Sequence, residues 1–447
     1  MGDNPSGTGA TVAGRGPARR PPSAVPAPNG GAFRPHPLGG RFNALLASTG
    51  LANVGDGILQ VGAPLVAVTL TRSPAEVSLL TAAAWLPWLV LGIPSGALVD
   101  RIDRRHAQVA ALATRAVILA AGAVVAASGR LSIPVILLVV LLYGVTDVVS
   151  DLGQTSIVPD LVARDRLSAA NGRVLAVQQV AGSFLGAPVA GFLVALGTWS
   201  IFGVPAALGA LAAVALLTGV RGHFRHAPAD GPRPGVLTEV WEGLAMLVRH
   251  PVLRPTLIAG TLFNMGSTAF MAVLVLWAVG PGSAMGLSSP QYALLMTAFA
   301  LGAVGGSVVA EQVISRVGEV RVLVWSFLLG SVLFGLPLLV PRFWPVAVGL
   351  VVMGAGNNVG NVVSQSLRQR LVPRHMLGRI AGAGRAVSYG LMPVGALLGG
   401  AVGELWGLPA SLLAGTAFCL ASTLVLALFL RQRDVDAHEP PVGTPIE

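Results

Sequence analysis

From about Phe42 to about Leu430 the chain is a succession of twelve apolar stretches, each long enough to cross a lipid bilayer. A hydrocarbon core about 30 Å thick needs roughly 20 apolar residues of helix. The segments 132-SIPVILLVVLLYGVTDVVSDLGQT-155 and 409-PASLLAGTAFCLASTLVLALFLR-431 reach that length. The expected fold is therefore an all-α membrane protein with twelve transmembrane helices. The runs are placed at 42–70, 75–100, 107–128, 132–155, 169–197, 199–220, 253–280, 289–315, 320–341, 343–366, 378–401 and 409–431.

Charged residues are 11% of the chain and hydrophobic ones 53%. That leaves too little polar surface to cover a soluble globule of this size. The chain has no lysine, so every basic residue counted as Lys or Arg is arginine. A P-loop places a lysine on the nucleotide phosphates, so ATP hydrolysis of that kind is excluded. What remains is an ion gradient or a downhill flow of solute. The only cysteine, Cys419, lies inside the last run and reads as a packing residue.

The formal charge of +10 has a placement that argues against nucleic acid as partner. Arginines cluster in residues 1–41 and in the loops between runs 2 and 3, 4 and 5, 6 and 7, 8 and 9, and 10 and 11. The alternate loops hold only Arg72, Arg130 and Arg342. Short arginine-rich loops stay cytoplasmic, so the chain is expected to lie in the cytoplasmic membrane with both termini in the cytoplasm. Residues 1–41 are rich in Pro, Gly, Ala and Arg, with no apolar core of a signal peptide, and are expected to be a disordered basic arm. The organisation expected beyond it is a six-helix bundle over 42–220, a central cytoplasmic loop over 221–252, a second bundle over 253–431 and a cytoplasmic tail over 432–447.

The two bundles repeat one another at an offset of about 210 residues. Run 1 carries 53-NVGD-56 where run 7 carries 264-NMGS-267. Gly92 and Gly96 match Gly302 and Gly306. Asp147 and Asp151 of run 4 match Asn357 and Asn361 of run 10, and 186-GAPVAG-191 matches 395-GALLGG-400. Parallel six-helix repeats are a transporter architecture, with the solute site between the halves near the midplane.

Ionisable groups at that depth cost several kcal/mol and each needs a reason. Asp56 lies near the middle of run 1, with Asn53 at i−3 and Gln60 at i+4 completing one polar stripe. The functional reading is a proton-binding carboxylate facing a central cavity, with nothing near in sequence to supply a counter-charge. The competing reading is a hydrogen-bonded structural aspartate. Asp147 and Asp151 share one face of run 4, and Arg115 of run 3 lies at about the depth of Asp147. A buried ion pair among Arg115, Asp147 and Asp151 follows, structural or relaying. The repeat counterparts Ser267, Asn357 and Asn361 cannot ionise, so coupling is assigned to the first half. The cavity candidates are Asn53, Gln60, Asn264, Asn357, Asn361 and Gln365. No metal site and no cofactor are expected.

The stretch 96-GALVDRIDRR-105 resembles the loop signature of the major facilitator superfamily, with Asp103 where glycine is more usual. The resemblance covers 42–431. The stretches 158-VPDLVARDRLSAANG-172 and 186-GAPVAGF-192 are similar to the exporter branch that includes macrolide efflux proteins and enterobactin exporters. Ala187 stands between the glycine and proline that adjoin in the common exporter signature. The arginine that proton antiporters usually carry in run 4 is missing. The resemblance implies a secondary active transporter that exports a small amphipathic organic molecule by alternating access and proton antiport. It implies a cytoplasmic gate built from Gly96, Asp100, Arg101, Arg104 and Arg105. Against that gate stands a loop that only sets topology and binds anionic lipid. The expected partners are a small-molecule substrate, protons and the lipid bilayer, and the expected state is a monomer. Proton-coupled or facilitative uptake is the alternative within the class. From other classes, an intramembrane enzyme or a non-transporting receptor would share the span count. An enzyme holding Mg²⁺ through Asp147 and Asp151 would need a second carboxylate cluster, and the sequence has none.

Overall fold

A computed structural model describes residues 1–2, 39–91, 103–163, 166–222, 236–373 and 376–438. Twelve helices in it are long and apolar enough to span a membrane. The described elements of the first half are α1 (Gly40–Leu70), α2 (Pro74–Leu91), α3 (Arg104–Ala127), α4 (Ile133–Leu161), α5 (Leu167–Gln179), α6 (Ala187–Leu196) and α7 (Ser200–Gly219). After α8 (Val236–Arg249), the second half comprises α9 (Leu253–Ala278), α10 (Ser289–Val317), α11 (Glu319–Phe334), α12 (Leu336–Leu339), α13 (Phe343–Leu371), α14 (Leu377–Gly390), α15 (Met392–Trp406) and α16 (Leu408–Phe429). A last helix, α17, covers Gln432–His438.

Local chemistry sets several of these boundaries. Asp103 caps α3 by accepting the His106 N–H at 3.0 Å, which gives the departure from glycine at this position a structural role. Ser288 and Gln291 form a reciprocal capping box that starts α10. The fifth span changes pitch: α5 and α6 are joined by a π-helical stretch, Val180–Gly186, just before Pro188. Proline has no N–H to continue the regular ladder, and the wider turn absorbs the loss. That stretch lets Gly182 and Gly186 lie directly against Gly57 and Val54 of α1, one residue from Asp56.

Two segments read as loop or tail contain helices. Within 221–252, α8 packs Leu247 beside Ile380 and Ala383 of α14, with Val240 and Leu244 on the same stripe, and leaves Trp241 exposed. Glu242 binds Arg379 at 2.8 Å. An amphipathic stripe of this length is too polar to span and is paid for by packing along the base of the bundle. In the tail, Val435 of α17 is buried in the same cluster.

One apolar cluster joins the halves at the end opposite the termini, running from Ile58, Val66 and Leu80 to Phe270, Val275 and Ala293. At the termini end each half keeps its own cluster, one built on Phe42, Leu112 and Leu216, the other on Leu253, Val363 and Leu426. The hydrogen bonds between halves follow the same division among the described residues. Arg72 Nη1 donates to the Val279 carbonyl at 3.1 Å, and Glu404 Oε2 accepts from Ser73 Oγ at 2.7 Å and from the Ala75 N–H at 3.2 Å. Gly191 lies against Pro290 and Ala293 with no room for a Cβ. Among the described residues the halves thus share an apolar cluster and hydrogen bonds at one end, and at the other each keeps its own cluster.

Gly302 and Gly306 of α10 sit directly against the backbone of α13 at Val351 and Ala355, while their repeat counterparts Gly92 and Gly96 lie outside the described residues. Gly302→Leu is expected to destabilise the folded protein by about 1–3 kcal/mol through overpacking. A thermal melt of the detergent-purified protein measures it, and a wild-type melting temperature contradicts the close crossing.

Candidate functional site

The halves line a cavity of about 810 Å³, mainly from α1, α2, α3, α4, α9, α10 and α13, with Gln178, Gln179 and Ser183 of the fifth span, Phe334 of α11 and Met392 of α15 also reaching it. On α1 its lining runs from Ser48 to Pro64, so it reaches within two to three turns of the termini end. Cavities of this size accommodate drug-sized molecules.

Its first-half wall is organised around one guanidinium. Arg115 is 3% exposed, whereas Asp56 and Asp147 are 28% and 32% exposed on the cavity. Arg115 Nη1 donates to Asp56 Oδ1 at 2.7 Å and Nη2 donates to Asp147 Oδ1 at 2.7 Å. The Tyr143 hydroxyl donates to the same Asp56 oxygen, and its ring lies 4.6 Å from the centre of the guanidinium. Arg115 Nε donates to Thr146 Oγ1 at 3.4 Å. The structure therefore brings Arg115 and Asp147 together, and it supplies Asp56 with the counter-charge that its local sequence lacks. That counter-charge arrives from α3, 59 residues away. Asp151 lines the cavity one turn beyond Asp147 but makes no ion pair with Arg115. Two carboxylates thus bind one guanidinium, and a third stands one turn away.

Asn53, Gln60, Asn264 and Asn357 line the cavity. Asn264 Nδ2 donates to the Ser388 carbonyl at 3.4 Å. Asn361 and Gln365 lie outside that lining, toward the termini end of α13, with Asn361 Nδ2 donating to Asn357 Oδ1 at 3.0 Å. Residues not singled out in the sequence supply most of the apolar wall: Trp85, Trp88, Phe263, Tyr292 and Phe299, with methionines such as Met271 and Met353. Tyr143 was legible in principle. It is one of three tyrosines in the chain and stands four residues before Asp147, on the same helical face. The aromatic wall carries no such signal, because it is assembled from separate helices.

Gly96, Asp100 and Arg101 of the expected gate lie outside the described residues. Arg104 Nη1 reaches the Ser156 carbonyl at 3.0 Å and Asp160 at 3.3 Å, and Arg105 Nη2 reaches the Leu217 carbonyl at 2.6 Å. These contacts run to α4 and α7 of the same half. Among the described residues no group of three or more His, Cys, Asp or Glu side chains forms a metal-binding cluster.

A shared guanidinium makes the three partners unequal. Asp147→Asn or Asp56→Asn leaves Arg115 one carboxylate, whereas Arg115→Gln orphans two. Arg115→Gln is expected to be the most damaging single change, by about 3–5 kcal/mol. Adding Asp147→Asn recovers only part of the loss, and removing both carboxylates recovers most of it. Thermal melts of the variant series report the order. Equal damage from all three singles contradicts a shared cation.

The sequence profile of the transmembrane secretion effector family matches residues 34–443. Among curated relatives, the enterobactin exporter of Salmonella choleraesuis (strain SC-B67) is 27% identical over 422 residues, covering 92% of this chain and 96% of the relative. An uncharacterised MFS-type transporter of Sinorhizobium fredii is 24% identical over 418 residues, covering 91% and 96%. Among solved structures, a mutant of the nucleoside transporter NupG superposes with a TM-score of 0.69 at 14% identity, covering 88% of this chain and all of that one. A bacterial homologue of the human lysosomal transporter Spinster, in an inward-facing and occupied conformation, gives 0.68 at 15% identity, covering 90% and 98%. These likenesses carry the fold, and the profile spans most of the chain. The chain belongs to the transmembrane secretion effector family of major facilitator superfamily transporters, which are membrane transporters and not enzymes.

Proposed function

We propose that this protein exports a small amphipathic organic molecule across the cytoplasmic membrane, in exchange for protons, by alternating access. The observation that carries the reading is the sharing of Arg115 by Asp56 and Asp147 on the wall of the cavity. With both carboxylates ionised, the centre holds one negative charge more than its guanidinium neutralises. In a low-dielectric wall that excess is relieved by a proton. A proton taken up from outside neutralises the centre. Release to the cytoplasm restores the charge and readies the site for the next solute. The aromatic and methionine wall suits an amphipathic solute whose shape varies, because thioethers and ring faces adapt to many surfaces. The neutral amides Asn264 and Asn357 of the second half give that solute hydrogen bonds without adding charge.

Export rather than uptake is favoured by the enterobactin exporters among the relatives. The arginine-rich loops support a termini end on the cytoplasmic side. On that orientation this conformation, whose halves keep separate apolar clusters at the termini end among the described residues, is the one that receives solute from inside.

Two measurements test this. In the Cys419→Ala background, cysteines at exposed Ser128 and Ser315 lie at opposite ends of the bundle. An impermeant thiol reagent on intact cells should label Ser128→Cys and spare Ser315→Cys, and the reverse pattern overturns the orientation. In proteoliposomes with an imposed pH gradient, Asp56→Asn should abolish uphill transport of a panel of siderophores and macrolides while downhill exchange persists. Uphill transport at the wild-type rate would remove Asp56 from coupling.

A further inference from the structure

The charged centre has a neutral copy. Thr49, Gln108 and Gln154 stand seven residues from Asp56, Arg115 and Asp147 on α1, α3 and α4 respectively, each time toward the termini end. Seven residues are two helical turns, about 10 Å. Equal displacement on three helices places the polar trio as a second tier beneath the first. Its members are 1%, 2% and 5% exposed, and the Thr49 hydroxyl donates to Gln154 Oε1 at 3.2 Å.

The second tier is unfinished as a packing arrangement. Gln108 Oε1 and Gln154 Nε2 are buried and have no hydrogen-bond partner among the described residues. Both side chains line the cavity. One buried acceptor and one buried donor left unmatched each lower stability, so apolar side chains would pack better there. A lone acceptor and a lone donor lining one cavity are matched by a molecule that both donates and accepts, and the tier has no ionised group to hold a charged solute. Water fits, held by two or more polar partners.

We propose that Thr49, Gln108 and Gln154 hold water as the station through which protons pass between the termini-end solvent and the Asp56–Asp147 centre. This rests on the proton-coupled reading above. Asn53, Ser150 and Asp151 line the cavity between the tiers, and Asn53 Nδ2 donates to the Thr49 carbonyl at 2.9 Å. In the step, the O–H bond of a protonated Asp56 or Asp147 breaks and its proton passes to a neighbouring water. The carboxylate stays with Arg115. Each water along the file accepts one proton and gives up another, and the last releases one to bulk solvent. The titratable and charged groups facing this file are Asp56, Asp147, Asp151, Tyr143 and Arg115 from the first half, with Arg385 of α14 acting on Asp151 from the second. The three tier residues are positioning residues, since they exchange no proton with solute.

The test needs no substrate. The full chain in detergent is subjected to a pH jump, and the carboxylic C=O stretch that Asp56→Asn with Asp147→Asn removes is followed by time-resolved infrared spectroscopy. Gln108→Leu with Gln154→Leu should leave the amplitude of that band unchanged and slow its relaxation by about tenfold or more, which is about 1.4 kcal/mol on the barrier. The serine pair, Gln108→Ser with Gln154→Ser, leaves space and polarity for water and should relax close to the wild-type rate. If the leucine pair does not fold, Gln108→Met, which conserves shape, is read in the same way. A leucine or methionine variant that relaxes at the wild-type rate overturns the station and leaves proton coupling standing. A wild-type protein with no such band overturns the proton reading itself, and this inference with it.

Discussion

Everything at the midplane depends on one buried cation with two acidic partners. Arg115 is almost fully enclosed, and an unpaired guanidinium at that depth would be among the most expensive groups in a membrane protein. Asp56 and Asp147 neutralise it from α1 and α4, and Tyr143 closes the arrangement over the ring and the Asp56 oxygen. Three helices of the first half are tied together by charge where apolar packing alone would leave their order loosely specified. The same arrangement sets two carboxylates against one guanidinium, so the cluster that holds the bundle together also carries one carboxylate in excess.

The repeat shows how a duplicated scaffold separates these tasks. At the base of the first half, Arg104 opens α3 and pairs with Asp160 near the end of α4. At the base of the second half, Glu319 opens α11 and pairs with Arg370 near the end of α13. The tie between corresponding helices is kept and its polarity is reversed, as expected of an ion pair whose work is geometric. At the midplane, charge is not kept. Ser267 and Asn357 stand where Asp56 and Asp147 do, and the second half presents amides and aromatic rings to the cavity. The two walls of the cavity therefore differ in kind, with charge on one and neutral hydrogen-bonding groups on the other.

Among the described residues, Trp85 of α2 packs against Tyr389 of α14, and the apolar cluster and the hydrogen bonds that join the halves lie at the end opposite the termini. A continuous apolar cluster crosses the interface there, and Arg72 and Glu404 add hydrogen bonds at its rim. At the termini end, separate clusters keep each half internally packed. Among the described residues the halves share no apolar cluster at that end, so each is packed there on its own side chains.

The sequence by itself determined the class, the number of spans and the repeat, because an unbroken apolar run and a run of arginine are read by the bilayer directly. It also marked Asp56, Asp147 and Arg115, since a charge inside an apolar helix is conspicuous whatever surrounds it. It did not disclose that Asp56 and Asp147 share one arginine, because that contact joins helices 59 residues apart and depends on how they rotate about their axes. Short amphipathic segments such as α8 and α17 escaped for a related reason: their stability comes from the face they bury against the bundle, not from apolar length. The aromatic wall, the second tier of Thr49, Gln108 and Gln154, and the end where the halves share an apolar cluster were decided only by tertiary structure. Each is assembled from side chains on separate helices that are individually unremarkable, and only packing brings them to one place.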